Sequence, residues 1–133
     1  MDIWDYYDGD LKYPNILNHT HEKEIAKTNL IWAFEYVLKH GRDKELESII
    51  AKDTTYSYRY VKYVLNGPFH LGEPAIAKNA EFSYLYAYDI LRGPFKLGEK
   101  AIAKNDHYFK KYTNYVLKKD FYLDGKLICK YEG

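Results

Sequence analysis

The sequence predicts an all-α fold: a short α-solenoid of about four two-helix repeats (period 26) with an N-terminal cap. Three observations carry that expectation. The stretch "GPFHLGEPAIAKN" (67–79) returns in nearly the same words as "GPFKLGEKAIAKN" (93–105). Apolar residues inside each copy recur at helical spacing, and no alternation of period two persists. Tyrosine is unusually common, 16 of 133 residues. A tyrosine buries a large ring but needs a partner or water for its hydroxyl, so many tyrosines suit a thin, elongated core. A two-helix unit of this size cannot bury its apolar face alone, and like units stack to bury it against each other.

The elements follow in chain order as one domain over 1–133. Residues 1–29 form the N-terminal cap, in which "HEKEIAKTN" (21–29) matches only the second half of a unit. Repeats then occupy 30–53, 54–79 and 80–105, and 106–133 is a degraded capping repeat. In the unit at 54–79, Ser57, Tyr58, Val61, Val64 and Leu65 share one arc of a helical wheel, with Arg59, Lys62 and Asn66 opposite. Gly67 and Gly93 suit the left-handed residue after a first helix, and Pro68 and Pro94 block its continuation. A second helix over roughly 71–78 tolerates Pro74 because that residue lies in its first turn. Glu47, Glu73 and Glu99 recur near the start of the second helix, and Lys27, Lys52, Lys78, Lys104 and Lys130 near its end, both complementing the helix dipole. Asp53, Asn79 and Asn105 are expected N-caps of the next first helix. Ser57, Ser83, Ala77 and Ala103 are small where helices must approach closely. The turn "KKDF" in the last copy has lost both Gly and Pro.

The stretch "SYLYAYDILRGPFKLGEKAIAKN" (83–105) resembles the tandem Tyr/Ala-rich two-helix repeats of uncharacterised proteins from large phages and other viruses. The resemblance covers residues 30–131 and departs from the pattern at an extra residue near His40 and in the degraded last copy. It implies no catalytic residues. It does imply a viral protein that binds and inhibits a host component, in the host cytoplasm.

Bulk composition fits this reading. Hydrophobic residues make up 47% and charged ones 29%, within the globular range. Residues 1–53 carry 7 Lys/Arg against 11 Asp/Glu, while 54–133 carry 13 against 8, so the chain is acidic at one end and basic at the other. Such asymmetry can orient a partner. The lone Cys129 cannot form an internal disulfide, the acidic start "MDIWDYYDGD" has no apolar run, and no stretch is long enough to span a membrane. A cytoplasmic location is expected.

Chemistry is thin, and the sequence predicts neither an enzyme nor a cofactor. His19 and His21 with Glu22 are too few ligands for a metal site. "DYYDGD" (5–10) lacks the spacing of a calcium loop. Cys129 lies in "LIC", at positions held by Ile and Ala in other copies, and reads as an inert buried thiol. Glu73 and Glu99 could be imagined as paired carboxylates, but their recurrence argues for a structural role.

Binding is the better expectation. Positions alike in every copy serve stacking, so positions that differ are free for a partner. One such row on the first helices reads Trp32, Arg59, Leu85, Lys111; its neighbour reads Glu35, Lys62, Tyr88, Asn114. Exposed aromatics with arginine are the usual anchors of protein interfaces, which points to protein–protein recognition. The alternative is single-stranded nucleic acid, with Lys110, Lys111, Lys118 and Lys119 attracting phosphate and Tyr112 and Tyr115 stacking on bases.

Overall fold

Four short polar side chains set where the first helices begin. Asn29 accepts hydrogen bonds from the N–H groups of Ile31 and Trp32, Asp53 from Tyr56, Asn79 from Phe82 and Asn105 from Tyr108. Each cap residue is itself extended, as capping requires. The computed structural model describes residues 19–133. In chain order α1 spans His19–Ala26, α2 Leu30–His40 and α3 Lys44–Ile50. Helix α4 covers Thr54–Tyr60 and widens into a π turn over Val61–Leu65. A 3₁₀ turn (His70–Gly72) leads into α5, Glu73–Ile76. The same sequence of forms returns as α6 (Ala80–Leu85, widening over Tyr86–Leu91) and then a 3₁₀ turn (Lys96–Gly98) into α7, Glu99–Ala103. Helix α8 (Asp106–Lys111, widening over Tyr112–Leu117) is followed by strands β1 (Phe121–Leu123) and β2 (Lys126–Cys129).

The chain is therefore predominantly helical with one small antiparallel hairpin, which corrects the all-α expectation at its C-terminal end. Asp124 and Gly125 both take positive φ (52° and 80°) between the strands. Asp-Gly in that conformation is a tight hairpin turn whose twist suits the flanking strands. The dipeptide is visible in the sequence, but the helical register of the preceding copies masks it. Cys129 accordingly lies half-buried on β2, not in a helical core. A second correction concerns the helix ends. The left-handed residues are Asn66 and Arg92, one place earlier than the expected Gly67 and Gly93, and Lys118 at the matching place of the last copy. The widened last turn explains the shift: Asn66 N–H reaches Val61 C=O and Lys118 N–H reaches Thr113 C=O, a π-type spacing in place of the α-helical one.

Packing recurs with the period of the sequence. The hydroxyl of Tyr60 donates to Glu47 at 2.6 Å, that of Tyr86 to Glu73 at 2.6 Å and that of Tyr112 to Glu99 at 2.6 Å. Each hydroxyl also accepts a backbone N–H, from Asp43 (3.4 Å), Phe69 (3.0 Å) and Phe95 (3.0 Å) respectively. The rings of these three tyrosines are fully buried and lie edge-on to Phe69, Phe95 and Phe121 at 4.9–5.2 Å. A second ladder joins successive first helices: Phe34 meets Tyr56, Tyr58 stacks on Phe82, and Tyr84 meets Tyr108. Ser57 and Ser83 are buried as expected, and donate to the C=O groups of Ile50 and Ile76 at the end of the preceding second helix. Gly98 lies against Ser83 so closely that an added Cβ would sit 2.5 Å from its Oγ. First helices contact first helices (α2 with α4, α6 with α8) and second helices contact second helices (α5 with the turn before α7).

The first unit is shorter than the others. Its caps, Asn29 and Asp53, stand two positions closer in the chain than Asp53 and Asn79 or Asn79 and Asn105 do. Helix α2 stays α-helical to its end where α4, α6 and α8 widen.

Two outcomes follow from the buried tyrosines. Tyr112→Phe keeps the ring against Phe121 and removes only the hydroxyl, leaving the Glu99 carboxylate and the Phe95 N–H without that partner. Its stability should fall by about 1–3 kcal/mol in denaturant unfolding, and an unchanged midpoint would show that the hydroxyl is dispensable. The second outcome is alkaline sensitivity. Burial first, and the adjacent carboxylate second, push the Tyr60, Tyr86 and Tyr112 hydroxyls above the ordinary tyrosine value. An acid whose pKa is raised on folding holds its proton longer in the folded than in the unfolded chain. Stability is thus complete below the unfolded value of about 10 and declines as pH rises beyond it, by up to about 1.4 kcal/mol per pH unit for each group. Thermal midpoints should fall above that pH together with the appearance of tyrosinate absorbance.

Candidate functional site

The rows expected to face a partner do not form one continuous exposed stripe. Arg59, Lys62 and Tyr88 are exposed, while Trp32, Glu35, Leu85, Lys111 and Asn114 are half-buried. Leu85 packs against the core. Asn114 is engaged on both ends of its amide, donating to Lys110 C=O and accepting from Glu132 N–H.

Trp32 is out of phase with its row. Counted from the N-cap, it stands at the third position of α2, the place held by Tyr56, Phe82 and Tyr108 in the later helices. Those residues supply one side of the ring ladder between first helices. Alignment on the shared "YVL" of residues 36–38 and 63–65 sets the two copies 27 positions apart, whereas their N-caps Asn29 and Asp53 stand 24 apart. The true counterpart of Arg59, Leu85 and Lys111 is Glu35, and that of Lys62, Tyr88 and Asn114 is the exposed Leu38.

The nucleic-acid set divides in a similar way. Lys110, Lys118 and Lys119 are exposed, Lys111 half-buried and Tyr115 57% exposed. Tyr112 is removed from it. Its ring is fully buried and its hydroxyl is held between Glu99 and the Phe95 N–H, so it cannot stack on a base. Glu47, Glu73 and Glu99 likewise have a role that dipole reasoning misses, as acceptors for the buried tyrosines. Only the constant separation in sequence between each Glu and its Tyr could have signalled it.

The widened ends of α6 and α8 lie side by side and leave a groove of about 400 Å³ between them. Tyr88, Asp89, Arg92, Tyr115, Val116 and Lys118 line it. Tyr88 is 49% exposed and stacks on Tyr84 at 5.7 Å. Burial, then the neighbouring Tyr88, push the Tyr84 hydroxyl up to about 12. Arg92 and Lys118 both hold left-handed backbones (φ 54° and 55°), which for residues with a Cβ cost about 1 kcal/mol or more each. The groove thus joins two exposed rings, two cations and one carboxylate. No nucleophile–base pair is among these residues.

Elsewhere, Glu22 pairs with His40 (2.7 Å) and Lys39 (3.7 Å), and His21 is exposed. The acidic stretch 5–10 lies outside the described residues. Among the described residues no group of three or more His, Cys, Asp or Glu could hold a metal ion, and no helix is long and apolar enough to cross a membrane. Compared with protein-family models, curated proteins and solved structures, the chain has no match.

Leu85 and Tyr88, close neighbours on one helix, should respond differently to substitution. Leu85→Lys removes apolar burial and should cost about 1–2 kcal/mol. Tyr88→Lys should cost about 1 kcal/mol or less, the worth of one half-exposed aromatic stack. Thermal melts of the two variants check the order, and the reverse order would mean that Tyr88 belongs to the core.

Proposed function

We propose that this chain is a short α-solenoid that works as a protein–protein recognition module, with its partner seated on the first-helix face at the groove between α6 and α8. The observation that carries this reading is the groove's lining. Tyr88 and Tyr115 present large rings to solvent beside Arg92 and Asp89. Tyrosine and arginine are among the residues most often found as interface anchors. Arg92 and Lys118 are also held in a backbone conformation that glycine would adopt at less cost, and retention of strained side chains at a surface points to use of those side chains. The solenoid assignment is supported by the recurrence of caps, Tyr–Glu bonds and ring contacts from unit to unit. The further idea, a viral protein acting on a host defence protein in the cytoplasm, rests on the repeat resemblance alone.

A combined Tyr88→Ala, Arg92→Asn, Tyr115→Ala variant tests the reading, with asparagine chosen because it tolerates the left-handed backbone. Affinity capture from host lysate, with nuclease present, should retain one protein on the parent chain. The variant should lose it, since anchors of this kind commonly contribute about 2 kcal/mol or more apiece. Capture that survives the triple substitution would place the surface elsewhere.

One observation favours the second reading, single-stranded nucleic acid. Lys110, Lys118 and Lys119 have no acidic partner among the described residues, and Tyr115 stands exposed near them in the chain. In that case retained material is destroyed by nuclease, and binding weakens with salt and with Lys110, Lys111, Lys118 and Lys119 changed to Gln.

A further inference from the structure

A second surface lies on the other row of helices. Between α5 and α7 is an open groove of about 420 Å³ bordered by Pro74, Lys78, Leu97, Lys100 and Lys104. The repeat makes it possible to ask what occupies the same place elsewhere in the chain.

Lys27, Lys52, Lys78 and Lys104 each follow an Ile-Ala pair at the end of a second helix. Glu45 precedes Glu47 by two positions, as Leu71 precedes Glu73 and Leu97 precedes Glu99. The groove that brings Lys78 beside Leu97 is therefore the counterpart of the contact between Lys27 and Glu45. There the place is filled from within the chain: Glu45 pairs with Lys23 at 2.5 Å and with Lys27 at 3.0 Å. The two lysines hold the Glu45 carboxyl down at about 2, well below the usual carboxylate range. At the later step leucine replaces the glutamate. Lys78, Lys100 and Lys104 are exposed, and none has an acidic partner among the described residues. Every ion pair among those residues falls between Glu22 and Glu73.

Leu71 and Leu97 are both 57% exposed at matching positions. Leucine has no flat ring to stack on a base, so these side chains suit an apolar partner side chain better than a nucleotide. A cationic groove lined also by Pro74, Ala77, Leu97 and Ala101 asks for a ligand with both carboxylates and apolar groups. We propose that this groove binds an acidic segment of a partner protein, in which glutamate or aspartate alternates with leucine-sized side chains and a carboxylate takes the place that Glu45 fills at the first step.

The test uses the full chain and a labelled peptide in which glutamate alternates with leucine, beside a twin with glutamine for glutamate. Anisotropy at low ionic strength should show the acidic peptide binding at least about tenfold more tightly than the twin. Lys78→Gln with Lys100→Gln and Lys104→Gln should weaken it by at least about tenfold. Leu97→Glu should do the same, because it supplies the missing carboxylate from within the chain. Tyr63→Glu, an equal charge change on the exposed first-helix row, should leave affinity within about twofold. The inference is overturned if both peptides bind alike, or if Leu97→Glu and Tyr63→Glu weaken binding equally. It is also overturned if phosphatidylserine vesicles or oligothymidine bind through the same lysines while the acidic peptide does not.

Discussion

A tyrosine hydroxyl placed between a buried carboxylate and a backbone N–H is the interaction on which the rest of this molecule depends. At 2.6 Å to Glu47, Glu73 and Glu99 it is a short, charge-assisted bond. Glu47 and Glu99 are only 5% exposed, and a buried carboxylate is costly unless its oxygens find donors. The tyrosine arrives from the first helix of one unit and the glutamate from the second helix of the unit before. Glu47 also pairs with Arg42 and Glu73 with His70 inside their own units, but each buried tyrosine hydroxyl reaches its carboxylate only when two units have met. The Tyr–Phe edge contacts then fill the space around the bond with apolar surface.

This arrangement explains how the helical units give way to a hairpin after α8. Phe121 keeps the edge-on contact with Tyr112 that Phe69 and Phe95 make with Tyr60 and Tyr86. The place of the next glutamate in the series, one full period beyond Glu99, is held by Gly125 in the hairpin turn. Without that carboxylate there is no anchor for a further tyrosine, and the segment is free to follow its own turn chemistry. At the opposite end, α1 packs against α2 with Ile25 and Ala26 buried, and Lys23 and Lys27 pair with Asp43 and Glu45 beside that contact.

Much of the fold is legible in the sequence because its signals are local. The caps Asn29, Asp53, Asn79 and Asn105 bond to N–H groups two or three positions away, so short windows of sequence contain both partners. The candidate surface is less legible. Tyr88 stands out by its departure from the repeat, and Lys118 and Tyr115 by composition. Arg92 escapes notice, because sequence reasoning gives the left-handed position to Gly93. Trp32 is misplaced because matching "YVL" sets the first copy three positions out of step with its N-cap, so that Trp32 takes the place in the row that belongs to Glu35.

The sequence by itself determined the period, the helix starts, the small residues at Ser57 and Ser83 and the basic character of the later units. Backbone capping, side-chain volume and formal charge are properties of residues and their near neighbours, and they do not wait for distant partners. Only the tertiary structure decided that Glu73 serves Tyr86, that Trp32 shares the phase of the ring ladder, and that the widened ends of α6 and α8 open a groove. It also decided that Lys27 meets a carboxylate where Lys78 meets a leucine. Each of these depends on which surfaces are brought together, and that is set by the phase and width of helices a whole unit apart.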